Sequence, residues 1–313
     1  MSTTVSSPPR PRSVGLWRRL HRLDEVRFGL ILLAPTALIL LIFLGIPIGY
    51  ALVMSVQRIE LTISPDRTWV GLDNYVGLVQ NRLVRESVVR TLYFAGLTIG
   101  LSILMSLGLA LLLNEPFRGR KPVRVLFMMP WAIAPVVAGV LWRYVLHSNY
   151  GLANATLYGL GIIQSYVVWL DKATLAISIA AIATTWKIVP FVTLILLAAL
   201  QSIPESLYRA ARMDGAGVFS RFRFVTLPHL RNTLIFAIVL QTIVSLQTFD
   251  LIFTLTRGGP GQGSVVLSYL VFINAFERLS LGRASAMAIL LAIFIIVLGS
   301  LSFLGAFTRR AKA

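Results

Sequence analysis

Long apolar runs separated by short basic segments dominate the chain. Six runs reach the roughly 20 residues that a helix needs to cross the ~30 Å hydrocarbon layer of a bilayer. They are Phe28–Val56, Thr91–Leu113, Val123–Leu146, Ala173–Leu200, Thr233–Thr256 and Ala284–Phe307. None shows the every-other-residue alternation of a barrel strand, and a helix satisfies all its backbone polar groups internally, as lipid demands. The fourth run carries Trp186, Lys187 and Pro190, which predicts a middle that is irregular or faces protein. The segment Asn149–Trp169 is less apolar and is interrupted by Gly151, Gly159 and Gly161. It reads as an external loop with a short interfacial helix rather than a seventh span. The pattern therefore predicts an all-α membrane protein of six transmembrane helices, with residues 1–27 as a basic cytoplasmic segment and residues 28–308 as the membrane domain.

Composition agrees with this class. Of 313 residues 57% are hydrophobic and 13% charged, far from the near-even apolar share and quarter of charged residues in a soluble domain. The formal net charge of +17 would suit nucleic acid in a polar protein. Here it reads as lysine and arginine holding loops on the cytoplasmic side. Placing both termini inside puts eighteen of the 29 basic residues on that side, including Arg118, Arg120, Lys121 and Arg124, and then Arg209, Arg212, Arg221, Arg223 and Arg231. The orientation is thus N-in and C-in. The first apolar run is longer than a signal-peptide core and no small-residue cleavage pattern closes it, so it reads as a retained helix. Ahead of it, Ser13–Arg27 spreads Val14, Leu16, Trp17, Leu20 and Leu23 among arginines, which suits a helix on an anionic leaflet. A disordered tail fits Pro8, Pro9 and Pro11 equally.

The connector between the fourth and fifth runs, Gln201 to Pro228, is the most informative segment. Pro204 and Glu205 suit the first turn of a helix, through proline's fixed φ and the attraction of a carboxylate to the positive helix end. Leu207, Ala210, Ala211 and Asp214 then fall on one face, and Gly215 sits where a glycine stops a helix. A second helix should carry Val218, Phe219, Phe222 and Val225, closed by Pro228. The four arginines at 209, 212, 221 and 223 keep the element out of the bilayer. Small alanines would let another protein approach its backbone. On physical grounds the element reads as a docking surface or as an ordinary amphipathic connector.

Residues 209–228 resemble the signature loop of permease subunits of binding-protein-dependent ABC importers, of the form E-A-A-x-x-D-G-A, a spacer and L-P. Ala210, Ala211, Asp214, Gly215, Ala216, Leu227 and Pro228 match, while Arg209 stands at the glutamate position. The resemblance runs through most of the chain after Glu86, a core of about residues 87–306. It implies an importer-type permease fold in which this loop, with Tyr208 and Phe222, forms a coupling helix set in a cleft of a cytoplasmic ATPase subunit. Thr248–Pro260, Tyr269–Phe276, Trp186–Phe191 and Gly71–Tyr75 are similar to the carbohydrate-uptake branch, to the first of its two permeases in maltose and glycerol-3-phosphate systems. The implied partners are a second homologous permease, an ATPase dimer that binds ATP and Mg, an extracytoplasmic solute-binding protein and a sugar-like solute, with no nucleic acid.

The sequence itself holds no phosphate-binding Gly-x-x-x-x-Gly-Lys-Ser/Thr loop, no cysteine, and three histidines scattered over different segments. It thus offers no ATP site, metal site or catalytic constellation of its own. A self-sufficient secondary transporter is the competing class, and it would tend to carry charges within its spans. Lys187 and Asp250 are the candidates, Asp250 near the outer end. Gln241, Ser245 and Thr248 fall at i, i+4 and i+7, one stripe of the fifth run. Their polar groups should face protein or a wet cavity. Interhelical hydrogen bonding and a solute path, with Trp186 as a stacking surface, are both open readings. The small-residue pairs Gly96/Gly100, Ser102/Ser106, Ala134/Ala138 and Ala176/Ala180 read as close helix contacts, within the chain by default or else against the partner permease.

Overall fold

A computed structural model describes residues 25–307. The alternative readings of the N-terminal tail up to residue 24, and the basic residues Arg309, Arg310 and Lys312, lie outside the described residues. The chain divides into two compact units, one ending at Val53 and the other beginning at Met54. The first is built on α1 (Gly29–Ser55), of mean hydropathy 2.7. Its side chains from Leu30 to Tyr50 are all exposed. A nearly continuous apolar surface on every side is what a helix shows when its solvent is hydrocarbon.

The second unit opens with a hairpin that the apolar pattern did not reveal. Strand β1 (Gln57–Glu60) pairs antiparallel with β2 (Ser64–Trp69). The alternation is there, since Gln57 and Ile59 are buried while Arg58 is exposed, but it lasts only four residues. Helix α2 (Asp73–Gln80) follows, after Gly71 turns the chain at φ +56°. Asn74 donates from Nδ2 to the carbonyls of Ser55 and Gln57, at 2.8 and 2.9 Å, and the Tyr75 hydroxyl donates to Ser55 Oγ at 2.7 Å. The Gly71–Tyr75 segment is therefore a clamp on the hairpin's root.

Three long helices form the centre: α3 (Arg82–Asn114), α7 (Ala173–Gln201) and α9 (Val218–Gln247). α7 is the most buried of the spans. It runs without a break through Pro190, so its middle is not irregular but faces protein. Ser106 of α3 donates to the carbonyl of Val189, next to the proline, at 3.1 Å. One apolar cluster gathers around Phe94, Ile177, Leu251, Leu270 and Met287, and a second around Leu113, Val192, Leu196 and Leu230. Of the small-residue pairs, Ser102, Ser106, Ala138, Ala176 and Ala180 are fully buried, whereas added Cβ atoms at Gly96 and Gly100 would meet open space. The intrachain reading therefore fails for the glycine pair and for Ala134, which is exposed.

Two of the expected spans are broken. In place of one helix over Val123–Leu146 there are α4 (Arg120–Ala132) and α5 (Pro135–Val145), bent by 96°. Pro135 explains the break: its ring disfavours the helical region for the residue before it, and Ala134 is extended at ψ 142°. In place of one helix over Thr233–Thr256, α9 ends at Gln247 and a separate α10 (Asp250–Thr256) begins. Phe249, at φ −135°, makes the corner. α5 packs against α10, and Gly139 is the contact point: a Cβ there would strike Thr254 Oγ1 and lie 2.8 Å from the Leu251 carbonyl. Among the described residues five helices are long and apolar enough to cross a membrane, six if α4 and α5 count as one span.

The segment from Asn149 to Trp169 contains α6 (Leu152–Gly159), as expected. It is folded around buried Asn154, whose Nδ2 donates to the carbonyls of Ser148 and Val167 while Oδ1 accepts from Val167 N and Trp169 Nε1. After α10 the chain turns at Gly258, φ +81°. It continues through α11 (Leu267–Glu277) to α12 (Leu281–Phe307). Rings of Phe249, Phe253, Tyr269, Phe272 and Phe276 pack together along α10 and α11, Phe249 stacked on Phe272 and Phe253 edge-on to Tyr269. α12 leans on α9, α11, α2 and β1.

Candidate functional site

The connector after α7 is an organised helix–turn–helix. Its first helix, α8 (Glu205–Met213), starts from Pro204 as N-cap, with Glu205 in the first turn. It ends in a full Schellman arrangement: Ala216 N donates to the Ala211 carbonyl at 2.9 Å and Gly215 N to the Arg212 carbonyl at 3.1 Å. Gly215 supplies the left-handed residue, φ +77°, that this closure requires. Tyr208 and Thr226 bond through their hydroxyls at 3.0 Å, fastening α8 to the start of α9.

The second helix differs from the expected one. Pro228 does not close it; Val218–Gln247 is continuous, so the connector's second half is the first part of α9. The helix passes Pro228 by widening into a π turn over Phe222–Thr226, where Leu227 N donates to the Phe222 carbonyl. The wider turn removes the collision between the proline ring and the preceding turn. The connector's second half is therefore one rod with a membrane helix, and the Tyr208–Thr226 bond fastens α8 to it.

Side chains on this rod divide cleanly. Tyr208, Ala211, Phe222 and Leu227 are half-buried and Thr226 is buried, whereas Arg209, Ala210, Asp214 and Pro228 are exposed. Met213, Val218, Phe219 and Phe224 are 88, 76, 79 and 75% exposed. Large apolar side chains this open, on an element held rigid by its caps, mark a surface that meets something else. Beside them a groove of about 980 Å³ is lined by Leu111, Asn114, Tyr208, Arg212, Phe219 and Phe222. Nearby, Arg124 donates to the Leu113 carbonyl at 3.1 Å, and the Gln201 amide oxygen accepts from both Arg120 and Arg124. The ends of α3, α4 and α7 are thereby joined at the connector's root, a link that sequence spacing did not signal.

The polar stripe is only partly together. Gln241 and Ser245 lie on α9, 0% and 2% exposed, and neither the Gln241 amide nor the Ser245 hydroxyl has a partner among the described residues. Thr248 leaves the helix as its C-cap, φ −67° and ψ 122°, so the i, i+7 relation to Gln241 no longer holds there. Its hydroxyl donates to the Val244 carbonyl and its own carbonyl accepts from Ser268 Oγ. Asp250 opens α10, half-buried. Trp186 stands edge-on to Trp142 at 6.0 Å. Lys187 is at the midpoint of the 29-residue α7, about 20 Å from either end at 1.5 Å per residue, and is half-buried. Thr185 and Thr193 of α7 add buried, unpartnered hydroxyls. α7 and α9 thus each carry buried polar groups that have no partner among the described residues. Among the described residues no cluster of histidine or carboxylates could hold a metal ion.

The protein is thus mostly helical, with a bent helix pair, buried unpartnered polar groups on α7 and α9, and one exposed, capped connector. Residues 98–312 match the family described as the binding-protein-dependent transport system inner membrane component. The chain is 37% identical over 274 residues to the trehalose/maltose transport system permease protein MalF of Thermococcus litoralis, covering 88% of this chain and 91% of that one. Its fold is similar to a bacterial ABC transporter involved in the import of the acidic polysaccharide alginate, with a TM-score of 0.78, 25% identity, and coverage of 94% and 98%. It is also similar to a bacterial alginate ABC transporter solved in complex with an alginate pentasaccharide-bound periplasmic protein, with a TM-score of 0.76, 25% identity, and coverage of 92% and 95%. The chain belongs to this family: it is a multi-pass inner-membrane permease subunit of an ABC importer.

Proposed function

We propose that the chain forms half of the translocation path for a sugar or related polyhydroxylated solute. A second homologous permease supplies the other half, a cytoplasmic ATPase dimer the ATP hydrolysis, and an extracytoplasmic binding protein the solute. The permease itself carries out no catalysis and binds no cofactor. The single observation that carries the mechanical part is the connector: a rigid, exposed helix–turn–helix continuous with α9, so that movement of a docked ATPase is transmitted to the central helices. The trehalose/maltose and alginate relatives support a carbohydrate as the solute. A non-sugar solute carried by the same machinery is the alternative, and crosslinking the binding protein and testing which sugars stabilise it decides between them.

The connector lies inside in this reading, with six spans, the α4–α5 pair counted as one, and both termini cytoplasmic. The chain has no cysteine of its own, so single cysteines report topology cleanly. Cysteines at Asp73 and Gly261 should react with an impermeant reagent in intact spheroplasts, and those at Arg120 and Arg212 only after lysis. Labelling of Arg212→Cys from outside would remove the orientation and the docking with it.

For the solute path, Trp186, Gln241, Ser245, Thr248 and Asp250 are the proposed wall, with Lys187 close by. A lysine at the midspan is costly against lipid, which supports a wet or protein-covered face on that side of α7. Gln241 and Ser245 are closed off in this conformation, so a path that uses them opens between α7 and α9. Gln241→Ala and Thr248→Val should leave assembly and basal ATPase intact, reduce uptake and change the ranking among sugars. If they only helped pack helices, at roughly 0.6–2 kcal/mol per hydrogen bond, yield and thermal stability would fall while the ranking stayed the same.

A further inference from the structure

Charge on the connector is one-sided. Between Glu205 and Pro228 stand the arginines Arg209, Arg212, Arg221 and Arg223 against the two carboxylates Glu205 and Asp214. Among the described residues the ion pairs are Arg82–Glu86, Arg90–Glu86 and Arg283–Glu60. None of the four connector arginines, therefore, meets a carboxylate among the described residues, although Glu205 is one helical turn from Arg209. Arg209, Arg212 and Arg223 are exposed.

The placing of these charges also matters. On α8, Glu205, Arg209, Arg212 and Met213 project to one side, since 3.6 residues per turn bring positions four, seven and eight apart onto the same face. Tyr208 and Ala211, half-buried, lie toward the other side, where the Tyr208–Thr226 bond holds the helix down. A helix resting on a membrane surface segregates its apolar side chains from its charges. α8 keeps its charges to one side, but that side also bears exposed Met213 beside Arg209 and Arg212, and exposed Val218 and Phe219 follow beyond the turn. An apolar centre ringed by charge is the layout of a protein–protein contact. A guanidinium covered on docking needs a planar, bidentate acceptor, which a carboxylate provides, and leaving it covered without one is costly.

Resting on the docking role proposed above, we infer that the ATPase cleft receiving this connector is apolar at its floor and acidic at its rim, with a carboxylate set against Arg209. The contact is inverted in charge relative to a permease that carries glutamate at this position. The cleft and the connector are then a matched pair, and an ATPase subunit built for the glutamate form would be a poor substitute.

The test uses the whole complex, purified through a tag on this chain with its partner permease and ATPase co-expressed. The readout is the ATPase subunit retained per permease as KCl is raised. At about 150 mM salt, where charges more than about 8 Å apart are largely screened, Arg209→Glu should lower retention about tenfold and Arg209→Gln about threefold. The glutamine variant should also show a shallower dependence on KCl. A cysteine replacing Met213 should crosslink to the ATPase subunit. Arg209→Glu retaining the ATPase as well as the native chain, while Met213→Cys still crosslinks, overturns the acidic cleft and leaves docking standing. Met213→Cys reacting with lipid-borne reagents and not with the ATPase overturns both. Should Arg209→Glu fail to assemble with the partner permease, the glutamine variant decides: an unchanged KCl dependence overturns the proposal.

Discussion

Gly215→Val is expected to abolish coupled transport while the permease still inserts and folds. A Cβ at this position would meet no neighbour within 4 Å, so the effect does not come from crowding. It comes from the backbone: at φ +77° a side chain costs roughly 1–2 kcal/mol, and more when branched at Cβ. The chain relieves that strain by leaving the left-handed region, which breaks the Ala216–Ala211 and Gly215–Arg212 closures. Asp214 and Ala216 are then displaced and the angle between α8 and α9 is lost. Uptake should fall more than tenfold, about 1.4 kcal/mol or beyond in coupling, with ATP hydrolysis either lost or running without transport. Gly215→Asn should be milder by several-fold, because asparagine tolerates left-handed geometry. Normal uptake with substrate-stimulated hydrolysis in Gly215→Val would remove the connector from the mechanism.

The second large effect lies elsewhere in the chain. Gly139→Val should prevent stable assembly, because α5 and α10 meet there with no room for a Cβ. Thr254 Oγ1 occupies the space and already donates to the carbonyls of Asp250 and Leu251, at 2.9 and 3.1 Å, so it cannot move away without leaving those bonds. Overpacking of this kind costs about 1–3 kcal/mol in a well-packed core. Valine here meets backbone as well as side chain, which puts it at the upper end. Purified complex should drop several-fold in yield, and its melting temperature in detergent should fall, with Gly139→Ala shifting the same way by less. An unchanged melting temperature for Gly139→Val would mean that α5 and α10 do not meet in the assembled membrane protein.

What the linear sequence determined about this protein is what local chemistry determines. Twenty-residue apolar runs can only be helices in lipid, so their helical character was legible in it, though not which of them are interrupted. Pro204, Glu205 and Gly215 are start and stop signals whose physics acts over a single turn, so α8 was legible to within a residue at each end. The matched positions of the signature loop did the same for the family. Other features depend on groups brought from far along the chain, and only the tertiary structure decided them. Pro228 reads as a stop, yet the helix continues because a π turn makes room for the ring and because Thr226 is pinned to Tyr208, eighteen residues earlier. Val123–Leu146 reads as a single span, yet it folds as a 96° corner at Pro135, with α10 lying against α5 at Gly139. The stripe of Gln241, Ser245 and Thr248 assumes an unbroken helix, and the corner at Phe249 takes Thr248 off it. Four-residue strands carry too little alternation to stand out, and β1 is held by Asn74 and by the start of α12 rather than by its own pattern. Periodicity reports which face of an element is apolar; which face meets which neighbour is settled by the fit of distant side chains.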